Sequence, residues 1–498
     1  MTTERRSVEA ETLTEQMEQM ETQPVVTEEI QSGDLMNLML KFLESPGNVL
    51  LIHGTPGAGK TTLGFELLRR MEGPRIGRHS IPPIRLYVSS RVSSTKLRKH
   101  FPWITEVVDS QSGRTAKANW TETQEDVRVS EANNLNQKLL ALKRSAQRGL
   151  IVIDSWEGAI RNANEQGIRM LESAILSEPD ESKFGVVLVS EEKEEDPLSH
   201  LVDGVVTLSS SELEGRRIRT LVVNKLRGFR IRAHQGLFTL EKGRFTFLPD
   251  TEFFDHSSSN PKIPSPVPHS KSSFSTGSPD LDKMLGGGIK KGSSFLIDLN
   301  ASTVSPEALR ILLNIIRANF VNQGGSSIVI PSATLSSESV AESLKPLVGN
   351  DVLEERVRIA EYNQGLPPRR WRVHLKGKLL EDVALFNSCW NELRAISSST
   401  LLTSDFDRIV QTYGEDLTLP GLAEIGANIR DSGALSVGVA SQPTKVREEF
   451  LRIADYHLKM QHFNGSLVIY GVKPFTNIHG LTFAFERGCP SLKLTEVV

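Results

Sequence analysis

The chain has 498 residues, of which 38% are hydrophobic and 24% are charged, and its formal net charge is −3. These values predict a globular protein of about two to three domains and argue against a generally basic nucleic-acid binder. The two cysteines, Cys389 and Cys489, lack the spacing of metal ligands and predict a reducing compartment. No run of about 18 apolar residues and no secretory signal is present, so we expect a cytoplasmic protein without a membrane partner.

The first segment, residues 1–28, is rich in glutamate, threonine and glutamine and poor in apolar residues. Such a composition buries too little apolar surface to offset the entropy of ordering, so we predict a disordered acidic tail. A helix is predicted over 34–43 and a short buried strand over 48–53.

Residues 54–62 fit the phosphate-loop pattern G-x-x-x-x-G-K-[ST], between the predicted strand and an amphipathic helix. Glycines let the backbone N–H groups converge on phosphate oxygens, and the helix adds its positive dipole end. Lys60 is placed to reach the β- and γ-phosphates, and the Thr61 hydroxyl to contact Mg²⁺. An ordinary glycine-rich turn is the alternative, which the strand–loop–helix context disfavours. The predicted nucleotide-binding residues are Gly54, Thr55, Pro56, Gly57, Ala58, Gly59, Lys60, Thr61 and Thr62.

A carboxylate follows the next buried strand. A strand is predicted over 84–89, then helices over 95–100 and 131–147, and then an apolar strand that ends in Asp154. In phosphate-loop ATPases a carboxylate in this place organises Mg²⁺ through its water shell. We therefore predict Thr61 and Asp154 as metal residues, and Lys60 and Asp154 as catalytic residues. Aspartate also commonly caps a strand, but the distance in sequence from the phosphate loop favours the metal role.

Further strands are predicted over 185–190, 205–208 and 219–224. Strands and helices thus alternate as in an α/β fold, with a mainly parallel sheet and helices on both faces. Residues 251–273 combine prolines and serines and predict a linker. The first domain is therefore predicted to span residues 29–250.

The second half repeats the pattern of the first. Residues 328–332 are similar in sequence to 86–90, and residues 451–458 are similar to 198–206. These similarities predict a duplicated fold over 274–498. After the strand at 294–297 comes a segment without glycine or lysine, which can neither cradle nor neutralise phosphates. We expect the second copy to hold no nucleotide.

These residues together resemble the two-domain KaiC-type branch of RecA-like ATPases, and within it archaeal proteins of the GvpD type, named for a regulator of gas-vesicle genes. The likeness covers nearly the whole chain except the tail and the linker. It rests on segments 54–62, 87–93, 101–103, 151–156, 201–206, 212–217, 224–228 and 275–292.

The resemblance implies two tandem RecA-like domains in a homo-oligomer that holds ATP and Mg²⁺ at the subunit boundary. It also implies that Lys225 and Arg227, which match a Lys-x-Arg pair, reach the γ-phosphate of a neighbouring subunit. The alternative is a basic face on a hairpin that binds a protein or nucleic acid. That face would comprise Arg216, Arg217, Arg219, Lys225, Arg227, Arg230 and Arg232.

One departure from the family pattern concerns hydrolysis. KaiC-type sites carry paired glutamates after the second strand, where this chain has Arg91 and Val92, and neither can act as a general base. Glu157, Glu191 and Glu192 are the candidate replacements, and solvated acids are the simpler interpretation of them. We expect slow hydrolysis at most.

Two functions follow from these residues. The favoured one is a nucleotide-dependent regulator that controls assembly or a partner protein such as a transcription regulator. The alternative is a DNA-associated ATPase resembling recombinase paralogues, which the acidic composition disfavours. The segment 369–378 is basic and contains an aromatic residue, and it is either a nucleic-acid contact or a solvated insertion. Autophosphorylation, as in circadian KaiC proteins, is a third and less favoured hypothesis.

Overall fold

The computed structural model describes residues 35–45, 47–71, 75–76, 79–80, 83–90, 92–104, 149–161, 163–176, 184–191, 197–249, 263–300, 303–486 and 489–498. The predicted acidic tail, the predicted helix over 131–147 and the first part of the predicted linker, 251–262, lie outside these residues.

The first half is built from the following strands: β1 (Val49–Gly54), β2 (Arg75–Ile76), β3 (His79–Ser80), β4 (Ile84–Ser89), β5 (Gly149–Asp154), β6 (Phe184–Val189), β7 (Gly204–Leu213), β8 (Arg216–Leu226), β9 (Gln235–Thr239) and β10 (Thr246–Phe247). Its helices are α1 (Leu35–Glu44), α2 (Lys60–Arg70), α3 (Ser94–His100), α4 (Trp156–Ile160), α5 (Glu165–Leu176) and α6 (Leu198–Leu201). Strands β2 and β3 form a separate small hairpin.

The remaining eight strands form one sheet in the order β10-β9-β8-β7-β1-β6-β5-β4. Strands β7, β1, β6, β5 and β4 are parallel, and β8, β9 and β10 are each antiparallel to their neighbours. Strand β6 lies between β1 and β5, so the strand before the phosphate loop and the strand that ends in Asp154 are not direct neighbours. This is the strand order of a RecA-like sheet.

Helices cover both faces of the first sheet because its central strands are apolar on both sides. Leu50 and Ile52 pack into a core with α1 and α2. Val49 and Leu51, which alternate with them along β1, pack into a second core with α4, α5 and α6. The two cores fix the direction of β1 and hence the position of the loop that follows it.

The second half contains β11 (Ser273–Phe274), β12 (Ile289–Lys290), β13 (Ser293–Leu299), β14 (Ser326–Ile330), β15 (Val357–Glu361), β16 (Arg372–His374), β17 (Thr400–Asp405), β18 (Leu435–Ala440), β19 (Tyr456–Phe463), β20 (Ser466–Lys473), β21 (His479–Glu486) and β22 (Cys489–Glu496). Its helices are α7 (Pro279–Met284), α8 (Pro306–Asn322), α9 (Ser337–Val348), α10 (Asn350–Arg356), α11 (Leu379–Ile396), α12 (Phe406–Tyr413), α13 (Glu415–Ser432) and α14 (Lys445–Ile453).

Ten of these strands form a second sheet in the order β16-β15-β14-β17-β18-β13-β19-β20-β21-β22. The parallel strands β19, β13, β18, β17 and β14 follow each other as β7, β1, β6, β5 and β4 do in the first sheet. Strands β15 and β16 extend the second sheet beyond β14, an addition that the sequence patterns did not indicate. The prediction of two tandem RecA-like α/β domains is confirmed.

The antiparallel strands of the two sheets meet and hold the domains together. Their shared apolar cluster consists of Ile218, Leu237, Leu248, Val468, Tyr470, Ile478 and Val497. Arg216 adds two hydrogen bonds across this boundary, to the carbonyl oxygens of Thr476 (2.7 Å) and Gly471 (2.6 Å). The two domains therefore contact each other through β8 and β9 on one side and β20 to β22 on the other.

Candidate nucleotide-binding site

The phosphate loop lies at the carboxyl end of β1 and leads into α2. Gly54, at the end of β1, has a φ of 155°, and a Cβ there would collide with the main-chain oxygen of Leu208 on the neighbouring strand. Gly59, the residue before α2, has a left-handed φ of 106° and lies against Leu240. These two positions need glycine for different reasons, one steric and one conformational.

Lys60 and the loop backbone form the phosphate-binding part of the site. The Lys60 amine donates hydrogen bonds to the carbonyl oxygens of Gly54 and Thr55, the latter at 3.0 Å. Its positive charge therefore lies directly against the loop. Together with the amino-terminal end of α2, the amine supplies the positive potential that a triphosphate requires.

Thr61 and Asp154 come together across the sheet. The Thr61 hydroxyl donates to a carboxylate oxygen of Asp154 at 2.6 Å, although 93 residues separate them. A hydroxyl beside a carboxylate offers the oxygen ligands that Mg²⁺ prefers, directly or through water. The two residues predicted to hold Mg²⁺ thus fit that ion.

Tyr87 is a third member of this group, which the sequence analysis did not single out for a role at the metal site. Its hydroxyl donates to the same oxygen of Asp154 at 2.6 Å, and its ring stacks on Phe65 of α2 at a centroid distance of 4.2 Å. Burial, and then the charge of Asp154, raise the pKa of Tyr87 well above its usual value. Tyr87 is therefore a neutral donor that orients Asp154.

Glu157 is the candidate base whose side-chain hydrogen bonds the structure describes. It lies in α4, and one of its carboxylate oxygens accepts hydrogen bonds from the hydroxyl of Ser190 (2.6 Å) and the main-chain N–H of Glu191 (3.1 Å). Burial raises the pKa of Glu157, but these hydrogen bonds outweigh it and leave the pKa below its usual value. The other carboxylate oxygen is buried and has no hydrogen-bond partner among the described residues.

The position of the family's paired glutamates is described only in part. Val92 is exposed, in a loop that the Ser89 hydroxyl closes by donating to the Val92 carbonyl oxygen at 2.7 Å. Arg91 and Glu192 lie outside the described residues. The described residues of this loop, Ser89, Ser90, Val92 and Ser93, include no carboxylate.

Lys225 and Arg227 lie at the opposite end of the sheet from the phosphate loop. The main-chain N–H and a side-chain nitrogen of Arg227 both bond to Asp203, whose side chain in turn accepts from the N–H of Val49, the first residue of β1. The phosphate loop follows Gly54, the last residue of β1. The structure therefore does not bring these two residues to the phosphate loop of their own chain.

The basic face that was considered as an alternative is divided by the second domain. Arg216 and Arg219 are only 3% and 7% exposed, since both point into the domain interface. Including them in an exposed face was wrong, because strands β7 and β8 extend further than predicted and the second domain covers them. The members that are exposed are Arg217, Arg227, Arg230 and Arg232.

The corresponding place in the second domain has a different chemistry. Asp298, at the position equivalent to His53, accepts hydrogen bonds from the Arg447 guanidinium (3.0 and 2.5 Å) and contacts His457. Burial raises the pKa of Asp298, but His457 and Arg447 outweigh it and leave the pKa lowered. In the second domain, an aspartate paired with an arginine and a histidine therefore occupies the strand position just before the segment that corresponds to the phosphate loop.

A cavity of about 280 Å³ opens beside Asp298 and includes Glu214 from the first domain. Glu214 forms an ion pair with Lys459 at 2.6 Å. The cavity thus has two acidic and two basic side chains, counting Asp298 and Arg447, and no net positive charge for a triphosphate.

The basic segment 369–378 does not present an aromatic surface. Trp371 is 5% exposed and Arg372 is buried beside it, with hydrogen bonds to Ser337 and to the carbonyl oxygen of Pro367. A buried ring cannot stack on a base, so this observation disfavours the nucleic-acid contact.

The fold and the site define a P-loop protein of the RecA-like class, with a phosphate loop in the first of its two domains. A family model described as the P-loop domain of the GvpD gas vesicle protein matches residues 39–224. Protein GvpD2 of Halobacterium salinarum is 27% identical over 493 residues, which cover 92% of this chain and 95% of that protein. Protein GvpD1 of the same organism is 24% identical over 522 residues, with the same coverage. The chain is therefore similar to proteins of the GvpD type over most of its length, and residues 39–224 match the P-loop domain of that family.

Membrane insertion through a helix finds no support in the described residues, where none of the helices is both long and apolar enough to span a bilayer.

Proposed function

We propose that the first domain binds ATP with Mg²⁺ and that nucleotide occupancy controls assembly of the chain or docking of a partner protein. The observation that carries this proposal is the Lys60, Thr61 and Asp154 group, with its hydroxyl–carboxylate distance of 2.6 Å. Lys60 and the loop N–H groups would hold the phosphates. Bound Mg²⁺ would neutralise the charge of the phosphate oxygens beside Thr61 and Asp154.

Slow hydrolysis is part of the proposal. Glu157 is the described carboxylate that Ser190 orients near the carboxyl ends of β5 and β6, and we propose that it positions the attacking water. A carboxylate whose pKa is lowered is a weak general base. Slow hydrolysis keeps ATP bound for a long time, which suits a protein that switches between a nucleotide-bound and a nucleotide-free state.

The assembly proposed here is a homo-oligomer in which Arg227 acts on the nucleotide of a neighbouring subunit. Arg227 is exposed at the far end of the sheet, so it can reach only the site of another subunit. A side-by-side arrangement of subunits would bring that end of one sheet to the phosphate loop of the next.

The relatives' names suggest the biological setting. A protein partner in the regulation of gas vesicle formation, in the cytoplasm, is the proposed context, and a transcription regulator is the proposed class of partner. The alternative, an ATPase that acts on DNA, is disfavoured because Trp371 is buried and the basic hairpin is partly covered.

The test is the size of the assembly in the presence and absence of Mg·ATP, measured by analytical ultracentrifugation for the wild type and Lys60→Ala. Lys99→Ala, at an exposed position of α3, is the matched control. We expect Mg·ATP to change the sedimentation of the wild type and of the control, but not that of Lys60→Ala. If nucleotide controls docking instead of assembly, we expect Mg·ATP to change how much of an added regulator protein the wild type and the control bind, with no change for Lys60→Ala. A response that survives in Lys60→Ala, or a DNA-stimulated turnover, would favour other functions.

A further inference from the structure

The last residues of the second domain lie beside the phosphate loop of the first. Strand β22 ends at Glu496, and residues 496–498 run along β8 and β9. Two side chains of the first domain, Arg219 and Thr239, bond to this segment. Each of them is also connected to the phosphate loop.

Arg219 bridges the segment and the loop directly. Its Nε donates to the main-chain oxygen of Val498 at 2.6 Å, and its Nη1 donates to the main-chain oxygen of Gly57 at 2.9 Å. The guanidinium is planar and presents its donors in a fixed fork, so a restraint on one side of the group is transmitted to the other. Arg219 is 7% exposed, so water competes little for these bonds.

The bond to Gly57 acts on a turn of the loop. Gly57 is exposed and has a φ of 78°, with open space on the side where a Cβ would stand. The peptide unit after Gly57 is planar and carries the N–H of Ala58, which donates to the carbonyl oxygen of Thr55 at 3.1 Å. Fixing the Gly57 oxygen therefore fixes the orientation of the Thr55–Ala58 turn.

Thr239 gives a second connection. Its hydroxyl donates to the main-chain oxygen of Glu496 at 2.6 Å and accepts from the N–H of Glu241 at 3.2 Å. The residue between them, Leu240, packs against Gly59 of the phosphate loop. The same segment of the second domain thus supports the loop at Gly57, through Arg219, and at Gly59, through Thr239 and Leu240.

We propose that docking of the second domain holds the phosphate loop in its nucleotide-binding shape, and that Arg219 is the positioning residue that couples the two. This inference rests on the proposed function, that the loop binds ATP. Coupling of this kind is reciprocal, so a bound nucleotide must also strengthen docking of residues 489–498. The second domain then regulates the affinity of a site to which it contributes no direct ligand.

The experiment compares Arg219→Gln with Arg217→Gln, the same change at an exposed position of the same strand. Calorimetry gives the Kd for Mg·ATP, and hydrogen exchange of residues 489–498 is measured with and without Mg·ATP. We expect Arg219→Gln to weaken Mg·ATP binding about tenfold, within the usual range of coupling between sites. We also expect Mg·ATP to slow exchange of 489–498 in the wild type and in Arg217→Gln, but not in Arg219→Gln.

Arg219→Lys and Thr239→Val separate positioning from a general loss of structure. Lysine keeps the charge but not the planar fork, so we expect an intermediate Kd. Thr239→Val keeps the side-chain shape but leaves the buried partners of the hydroxyl unpaired, so we expect a loss of affinity of a few fold and a lower melting temperature, with the protein still folded at the assay temperature. If Arg219→Gln fails to fold, these two variants carry the test.

The outcomes separate the two proposals. Wild-type protein that binds no Mg·ATP overturns the proposed function, and this inference with it. Tight wild-type binding that all three variants retain, with exchange of 489–498 indifferent to nucleotide, overturns the coupling alone and leaves the proposed function standing.

Discussion

Lys225 in the first domain and Lys473 in the second occupy equivalent positions and make equivalent hydrogen bonds. The Lys225 amine donates to the carbonyl oxygen of Val202 at 2.6 Å, and the Lys473 amine donates to that of Ala454 at 2.7 Å. Each lysine lies where its strand pairs with the neighbouring strand next to a β-bulge that shifts the register. Because the phosphate-loop sequence pattern does not recur in the second domain, this bond is a feature of the fold and does not require a nucleotide.

Lys225→Met is therefore expected to lower the free energy of unfolding by about 1–2 kcal/mol, since hydrogen bonds to the carbonyl oxygens of Val202 and Ser199 are lost. Urea denaturation measures the change, with Lys99→Met as the exposed control. Nucleotide affinity should stay at the wild-type value. Full stability together with lost turnover would instead place Lys225 at the nucleotide of a neighbouring subunit.

The residue two positions further on distinguishes the domains. Arg227 in the first domain corresponds to Phe475 in the second, so the arginine occurs only in the copy with a phosphate loop. We expect Arg227→Ala to bind Mg·ATP normally and to lose assembly or turnover.

Mixing variants tests whether Arg227 acts between subunits. Arg227→Ala and Lys60→Ala are each expected to be inactive alone. In an equal mixture about a quarter of the interfaces combine an intact loop with an intact arginine, so about a quarter of the turnover should return. A mixture that assembles as the wild type does, by sedimentation, but stays as inactive as its components would exclude action between subunits.

Asp154 and Tyr87 provide a test of the metal site. Asp154→Asn removes the negative charge beside Thr61, so we expect ATP affinity to become nearly insensitive to Mg²⁺. Tyr87→Phe removes one hydrogen bond to Asp154 and should weaken Mg·ATP binding a few fold, while metal-free ATP binding stays unchanged. ATP titrations with Mg²⁺ and with a chelator measure both effects, and an equal loss under the two conditions would argue against a metal role.

Glu157 and Ser190 should control the pH dependence of hydrolysis. The pKa of Glu157 is lowered in the folded protein, so the carboxylate stays ionised as pH falls until the lowered pKa is reached. Turnover that depends on Glu157 should be flat between about pH 6 and pH 8 and decline only on the acid side. Ser190→Ala removes a hydrogen bond that lowers the pKa, and should therefore move the acid limb of the profile to higher pH.

Glu157→Gln should reduce turnover by about 100-fold, as expected for loss of a general base, without changing the Kd for ATP. Single-turnover measurements at saturating Mg·ATP give this rate. Unchanged turnover would mean that another group activates water.

Local patterns predicted the parts of the site that depend on one stretch of chain. The phosphate loop follows a buried strand and opens a helix, and Asp154 ends an apolar strand, so both could be located by composition and spacing. The repeat was visible for the same reason, since Asp203 and Asp455 recur in similar segments. The two carboxylates each accept the N–H of the strand residue they face, Val49 and Ser294.

Contacts that depend on strand order or on domain docking could not be predicted in this way. The Tyr87–Asp154 bond requires β4 and β5 to be neighbours. The Arg219–Gly57 bond requires that only β7 separates β8 from β1 in the sheet. Arg219 was grouped with exposed arginines because its strand looked like the edge of a hairpin. The sequence pattern does not separate Arg219 from the exposed Arg217, since both flank Ile218 and share a face by strand alternation.

The measurement that tests the central claim most directly is the stoichiometry of Mg·ATP binding by titration calorimetry. The account predicts one nucleotide per chain for the wild type, none for Lys60→Ala, and an unchanged single site for Arg447→Ala in the second domain. Two nucleotides per chain, or binding that survives in Lys60→Ala, would contradict the assignment of one phosphate-binding site to the first domain.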